Sequence, residues 1–444
     1  MSDILSFYNR INGQACSCGK IHKTSLHKLV VGSGVIENLP EIVRDLGAEH
    51  PFLLADPNTW NAAGQKVNDV LADSGMRVSR YVFSQTKPEP DEHSVGSAVM
   101  HFDHQCDIVI GIGSGVINDI GKILSKTAGL PYIIVGTAPS MDGYNSATSS
   151  MALDGLKVSL PTRCPDVIIG DIDVLRQAPR EMLISGLGDM LAKYVSICEW
   201  RIANLLVGDT YCENIASLVR RSLSECVSNA EGLMKREPEA VRAVFEGLVV
   251  CGAAMEFAGL SRPASGVEHY ISHLWDMRGL AMGTPVSTHG IQCAIGTLIA
   301  LKAYEILQTV VPDRDKAIDY VKTFDFDEWS AELRAFLGKG AETMIAAEAR
   351  EQKYNVEKHT KRLKLIICYW GQLLDIMKEE LPPVCAIEKL LKTIDCPSMP
   401  AEIGISNDLL PMTFKASKDI RDKYVLSRLL WDLGILEEVA DKLM

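Results

Sequence analysis

Six short apolar runs, at residues 29–32, 51–56, 77–83, 106–111, 132–135 and 167–170, alternate with helix-period stretches such as 61–74 and 118–127. Runs of this length with little polar alternation suit strands buried on both faces, and the intervening stretches suit crossover helices. The expected fold of this half is therefore α/β, a Rossmann-like doubly wound parallel sheet. Beyond about residue 175 the texture changes to long amphipathic segments, at 182–206, 215–235, 239–259, 289–307 and 360–378, with few strand candidates. That half is expected to be all-helical. The shift falls at 173–179, where Pro179 followed by Arg-Glu marks a helix start, so the expected division is 1–175 for a nucleotide-binding α/β domain and 176–444 for a helical metal- and substrate-binding domain.

Composition excludes several classes. A chain of 444 residues with 47% apolar content can fill two or three cores. A net charge of −12 with no local concentration of Lys and Arg argues against nucleic acid as a partner. The longest apolar neighbourhood, 244–260, is interrupted by Glu246 and Glu256, so no membrane span is expected. The first residues lack both a basic start and an apolar core, which leads us to expect a cytoplasmic protein with its twelve cysteines reduced.

Three segments suit chemistry. Asp107-Ile-Val-Ile-Gly-Ile-Gly-Ser-Gly-Val-Ile-Asn-Asp119 places Gly111, Gly113 and Gly115 between a strand and a helix, where backbone N–H groups can meet a pyrophosphate. It does not match Gly-x-Gly-x-x-Gly, and a near copy, Gly32-Ser-Gly-Val-Ile-Glu-Asn38, also follows an apolar run. Asp56 closes a strand and could accept hydrogen bonds from an adenosine ribose, although Asp56-Pro57 equally suits a helix cap. Residues 136–148 are rich in hydroxyls and small side chains and read as a loop lining a site, with Thr137 and Ser140 facing a cofactor and Asp142 a polyol hydroxyl.

Asp189, His269 and His289 offer one carboxylate and two imidazoles, a set that leaves a coordination position open on a divalent ion. His269 and His273 are four apart and share a helix face. Asp189 is expected near the start of its helix, where the dipole favours a carboxylate. An early Cys16-Ser-Cys-Gly-Lys-Ile-His22 cluster has ligand chemistry, but no fourth ligand is evident nearby and the segment reads as a turn.

These segments together resemble the iron-containing alcohol dehydrogenase and dehydroquinate synthase superfamily, most closely its glycerol-phosphate branch, over nearly the whole chain. The wording that carries the likeness is Gly188-Asp-Met-Leu-Ala-Lys-Tyr, Cys198-Glu-Trp-Arg201, Ala138-Pro-Ser-Met-Asp-Gly143, Ser261-Arg-Pro-Ala-Ser-Gly-Val-Glu-His269, Thr288-His-Gly-Ile-Gln and Ile420-Arg-Asp-Lys-Tyr, the last read as packing. The resemblance implies a dehydroquinate synthase-like fold, metal ligands at Asp189, His269 and His289, and a phosphate cradle at Gly113 to Asp119, including Ser114 and Gly115, which Asp56, Thr137 and Ser140 join on the residue reading above. Ile112 stands where the family often has glycine. The implied activity is reversible reduction of dihydroxyacetone phosphate to sn-glycerol-1-phosphate with NAD or NADP and one divalent metal: zinc, nickel or iron. In that reading Asp142 orients the substrate, His273 relays a proton, and Lys193 and Arg262 are candidates for its phosphate. A homodimer is expected. The alternatives are a dehydrogenase for glycerol or another polyol, a dehydroquinate synthase-like lyase, which should carry a denser ring of Lys and Arg, and a metal-stabilised nucleotide-binding regulator without turnover.

Overall fold

The structure, a computed structural model, describes residues 3–443. Its strands are β1 (Lys28–Gly32), β2 (Pro51–Ala55), β3 (Ser79–Val82), β4 (Ile108–Gly113), β5 (Tyr132–Gly136), β6 (Thr148–Leu153), β7 (Leu156–Pro161) and β8 (Val167–Asp171). Six of them form one parallel sheet in the order β1-β8-β5-β4-β2-β3. Every residue of β2, β4, β5 and β8 is buried, which is why these strands read as unbroken apolar runs, whereas the edge strands β1 and β3 are partly exposed. The core on one face joins Leu53, Ile110, Ile112, Val135 and Ile169 of the sheet to Ile36, Leu39 and Val67 of the covering helices.

From β2 the chain moves outward to β3, and from β4 it moves the opposite way to β5. The loops after β2 and β4 thus diverge from adjacent strand ends, paired through Ala55 and Ile112, and a doubly wound sheet receives its ligand at such a switch point. The remaining strands, β6 and β7, form an antiparallel hairpin that the apolar-run pattern did not anticipate. Asp154 and Gly155 make its turn, both at positive φ (52° and 75°), the geometry a two-residue hairpin loop needs.

The helices that position functional groups are α1 (Asp3–Ile11), α2 (Gly115–Ala128), α3 (Arg180–Leu191), α4 (Lys193–Val207), α5 (Pro238–Ala258), α6 (Val267–Met282) and α7 (His289–Leu307). The stretch expected as one helix over 182–206 is broken at Ala192 into α3 and α4. Two compact units result: residues 1–190 with 217–260 contain the sheet, and residues 191–216 with 261–444 are helical. Among the described residues, α7 is long and apolar enough to cross a membrane, contrary to the expectation that no stretch would be. It is 83% buried, so its hydropathy is accounted for by the core it occupies.

Candidate cofactor cradle and metal centre

The two Gly-Ser-Gly turns that look alike in sequence are filled differently. At the first, Gly34 has a positive φ of 68° and the Asp171 carboxylate accepts from the backbone N–H groups of Gly34 (3.1 Å) and Ile36 (3.3 Å). An anion already occupies that helix start. At the second, Ser114 precedes α2 and makes no side-chain capping bond, so the first-turn donors and the helix dipole are directed at the carboxyl end of β4. The turn after β4 is the one suited to a phosphate.

Its glycines have separate reasons. A Cβ on Gly113 would lie 2.5 Å from Cβ of Ile117, so Gly113 lets α2 pack back on its own strand. A Cβ on Gly115 would find its nearest atoms in the Met141 side chain, at 3.6 Å, ordinary van der Waals contact, so packing does not demand glycine there. Gly113→Ala should therefore lower stability by about 1–3 kcal/mol through overpacking. Gly115→Ala should leave the melting temperature unchanged and raise the cofactor KM about tenfold by blocking backbone approach. Thermal melts and cofactor titrations on both variants separate the two roles.

The other cradle residues are disposed as follows. Asp56, at the end of β2, accepts from the N–H groups of Asn58 (2.8 Å) and Thr59 (3.0 Å) in a capping box, the cap alternative that its sequence context left open. Asp119 pairs with the Lys122 ammonium at 2.9 Å, and that ammonium also donates to the carbonyl of Thr148 at 2.5 Å. Thr137 follows β5, its N–H bonded to the Gly113 carbonyl (3.0 Å), which ties its loop to the cradle. Ser140 accepts at its carbonyl from the Ser185 hydroxyl (2.9 Å), and the Asp142 N–H donates to the Asp189 carboxylate (2.8 Å). Thr137, Ser140 and Asp142 are all buried.

Asp189 lies in the last turn of α3, not near a helix start as the sequence suggested. The helix ends at Leu191, so the dipole opposes a carboxylate here, and the Asp142 N–H supplies a donor in its place.

In the helical unit, ligand atoms of His269 on α6 and of His289 and Cys293 on α7 all lie within 4.8 Å of one another. The His269 and His289 rings are 5.1 Å apart, and His273 stacks on His289 at 5.8 Å. Each proposed ligand ring has a partner at Nδ1: the Glu268 carboxylate for His269 (2.9 Å) and the Ser272 hydroxyl for His289 (3.1 Å). A carboxylate at Nδ1 fixes the tautomer that offers Nε2 to a cation and raises its basicity, an outer-shell arrangement typical of metal-binding histidines. Burial would push the Cys293 thiol up, yet the adjacent His269 and His289 outweigh it and hold it below the ordinary range. This donor set fits a first-row divalent ion. Glu268 and Cys293 were missed in sequence. Cys293 had a signal, four residues after His289 on the same helix face, whereas Glu268 looked like any helical carboxylate.

The proposed phosphate cations gather around the start of α6. Lys193, buried on α4, donates to the Ala264 carbonyl (3.2 Å) and Lys423 to that of Ser265 (2.9 Å). Arg262 is buried and committed to the Asp209 carboxylate (2.6 Å) and the Tyr424 carbonyl (2.7 Å), so it braces the segment. The α6 N-terminus is itself filled by carboxylates, with Gly266 N–H donating to Glu268 (2.6 Å) and Val267 N–H to Glu199 (3.1 Å). Burial and the neighbouring Glu268 push the Glu199 carboxyl up to about 8. Burial and the positive Arg262 and Arg421 bring the Lys423 ammonium down to about 7. Lys423 sits in the Ile420-Arg-Asp-Lys-Tyr segment that the sequence assigned to packing.

The chain is similar to known proteins over most of its length. Residues 30–179 match the model of the iron-containing alcohol dehydrogenase family. A glycerol-1-phosphate dehydrogenase [NAD(P)+] of Halalkalibacterium halodurans is 27% identical over 96% of this chain and 97% of its own. One from Bacillus velezensis is 32% identical over 66% of this chain and 77% of its own. Among solved structures, the glycerol dehydrogenase of Schizosaccharomyces pombe superposes with a TM-score of 0.60 at 18% identity, covering 95% of this chain and 91% of that one. NADH-dependent butanol dehydrogenase A of Thermotoga maritima does so with a TM-score of 0.58 at 16% identity, covering 95% and 98%. These structural likenesses establish the dehydroquinate synthase-like fold, and the sequence relatives place the chain more narrowly: it belongs to the glycerol-1-phosphate dehydrogenase family of the iron-containing alcohol dehydrogenases.

Proposed function

We propose that the protein reversibly reduces dihydroxyacetone phosphate to sn-glycerol-1-phosphate with NAD(H) or NADP(H) and a divalent metal. The observation that carries this is the presence in one chain of an uncapped helix start after β4 and a histidine pair with partners fixed at Nδ1. The substrate is supported by the names of relatives matching over nearly the full length. When bound, the nicotinamide supplies the hydride, and a divalent ion held by Asp189, His269 and His289 supplies stabilisation for negative charge on the carbonyl oxygen.

The chain's own groups do the rest. Backbone N–H groups of Gly113, Ser114 and Gly115 bind the pyrophosphate, while Thr137 and Ser140 position the nicotinamide end. Asp56 and Asp119 remain proposed cofactor contacts that would have to exchange their present partners. Asp142 orients the substrate hydroxyl, and His273 holds or delivers the proton at the product oxygen. Lys193 and Arg262 shape the phosphate subsite, to which we add Lys423. The functional division remains 1–175 for the nucleotide and 176–444 for metal and substrate, and we place the enzyme in the cytoplasm as a homodimer.

An absorbance assay with dihydroxyacetone phosphate, dihydroxyacetone and glycerol tests the reading. Oxidation of the reduced cofactor should depend on the phosphate, and equal rates with dihydroxyacetone would point to the polyol alternative. Lys423 adds a pH signature. Its ammonium, lowered to about 7, is charged below that pH and neutral above it, so anion affinity is lost as pH rises through 7. The KM for dihydroxyacetone phosphate should climb above pH 7 in the wild type and not in Lys423→Arg, whose charge persists. Identical pH profiles would remove Lys423 from the phosphate subsite.

A further inference from the structure

The segment between α1 and β1 does more than turn. Ala15 and Ile21 bridge antiparallel, the Cys16 N–H donates to the Lys20 carbonyl (2.9 Å), and Gly19, at φ 83°, donates back to the Cys16 carbonyl (2.9 Å). This tight hairpin brings the Cys16 and Cys18 thiols and the His22 ring to one side, with ligand atoms all within 4.8 Å of one another. His22 is only 2% exposed, and its Nδ1 lies 3.0 Å from the Phe257 carbonyl, in the last turn of α5. A carbonyl can only accept, so Nδ1 carries a proton, and in the neutral ring that tautomer offers the Nε2 lone pair to a cation. That Nε2 faces Cys18 Sγ at 3.3 Å. In tetrahedral zinc coordination, with Zn–S of about 2.3 Å and Zn–N of about 2.0 Å, the sulfur-to-nitrogen edge is about 3.5 Å.

We propose that Cys16, Cys18 and His22 form a second metal site, for zinc, separate in sequence and in role from the histidine pair of α6 and α7. Two thiolates and an imidazole select zinc over the harder ions, and one further donor completes four-coordination. The role is structural. The Nδ1 proton that orients His22 also satisfies a terminal carbonyl of α5, and the same helix end holds the segment through Glu256, which accepts from the Ser25 N–H (3.0 Å), and through Phe257, stacked on Tyr8 at 5.7 Å. A bound ion would lock the hairpin to that end. Geometry alone does not generate such candidates: in the comparable group of His50, Asp103 and Cys106, the ring nitrogens lie 3.0 Å from the Gln105 carbonyl and 3.1 Å from the Ser79 hydroxyl, and burial pushes the thiol up to about 11.

The competing account is a neutral Cys18 thiol donating to His22 Nε2. Two measurements on the full-length protein decide between them. The zinc-to-chain ratio, measured by mass spectrometry after dialysis, should fall by about one in Cys16→Ser and Cys18→Ser, with turnover retained once the catalytic metal is supplied. In the unaltered protein, peptide mapping after N-ethylmaleimide treatment should find Cys16 and Cys18 at least tenfold slower to alkylate with zinc than after chelation, with the exposed Cys368 and Cys385 as internal controls. The second measurement stands even if the serine variants fail to fold. An unchanged zinc ratio in folded variants, zinc-independent alkylation of Cys18, or a Cys16–Cys18 disulfide in the freshly purified protein would each overturn the proposal.

Discussion

Replacing His269 by alanine should lower kcat/KM for dihydroxyacetone phosphate by about three orders of magnitude, equivalent to roughly 4 kcal/mol of transition-state stabilisation. The imidazole supplies one of the three proposed protein ligands, and alanine offers no donor in its place. The variant also leaves Oε1 of the fully buried Glu268 with the Gly266 N–H (2.6 Å) but without the His269 ring. Losing one buried hydrogen bond costs about 0.5–1.5 kcal/mol, so some loss of stability should accompany the loss of turnover. Reduced-cofactor binding, followed by nicotinamide fluorescence, should survive because the cradle is built from β4, β5 and α2. Glu268→Gln should retain the ring but weaken its orientation, with losses of about 10–100-fold in metal affinity or activity. His273→Ala should retain metal and lose turnover. Full activity of His269→Ala without metal would refute the assignment.

The parts of this protein that were legible in sequence are those where burial leaves an unbroken apolar segment. β2, β4, β5 and β8 are covered on both faces and read as apolar runs, and α7 spans the expected segment His289–Leu307, although it is buried nearly all round rather than amphipathic. The β6–β7 hairpin was lost because it lies outside the sheet and most of its residues are exposed or only partly buried, although Asp154-Gly155 was a usable turn signal. Helix ends were the weaker inference. Asp189 was placed by a pattern running continuously from 182 to 206, and only the break at Ala192 turns a second-turn carboxylate into a last-turn one. The outer partners were illegible for a different reason. Glu268, Ser272 and Ser185 act through hydrogen bonds whose partners are fixed by packing, and residue type alone does not reveal them. Lys423 illustrates the same limit, since its lowered ammonium depends on burial and on Arg262, far away in sequence.

Gly186 makes the strongest steric prediction. A Cβ there would stand 1.8 Å from the Pro139 carbonyl oxygen and 2.8 Å from its carbon, both backbone atoms that cannot swing aside. On its other side the same loop is pressed by Gly252, whose Cβ would lie 2.8 Å from the Asp142 carbonyl oxygen. The loop carrying Thr137, Ser140 and Asp142 is thus held between α3 and α5 by two missing methyl groups, and pinned by the Ser185 hydroxyl and the Asp189 carboxylate. Gly186→Ala must displace the loop or α3 by about 1 Å, and a misplacement of that size costs about 100-fold in rate, with about 1–3 kcal/mol of stability lost to overpacking. Gly371→Ala is the control: it lies in a helix with nothing within 4 Å of its added Cβ, and should gain up to about 1 kcal/mol from helix propensity. The two alanines should therefore move the melting temperature in opposite directions, with only Gly186→Ala lowering kcat/KM. Wild-type turnover and melting in Gly186→Ala would show that the loop is positioned by something other than its contact with α3.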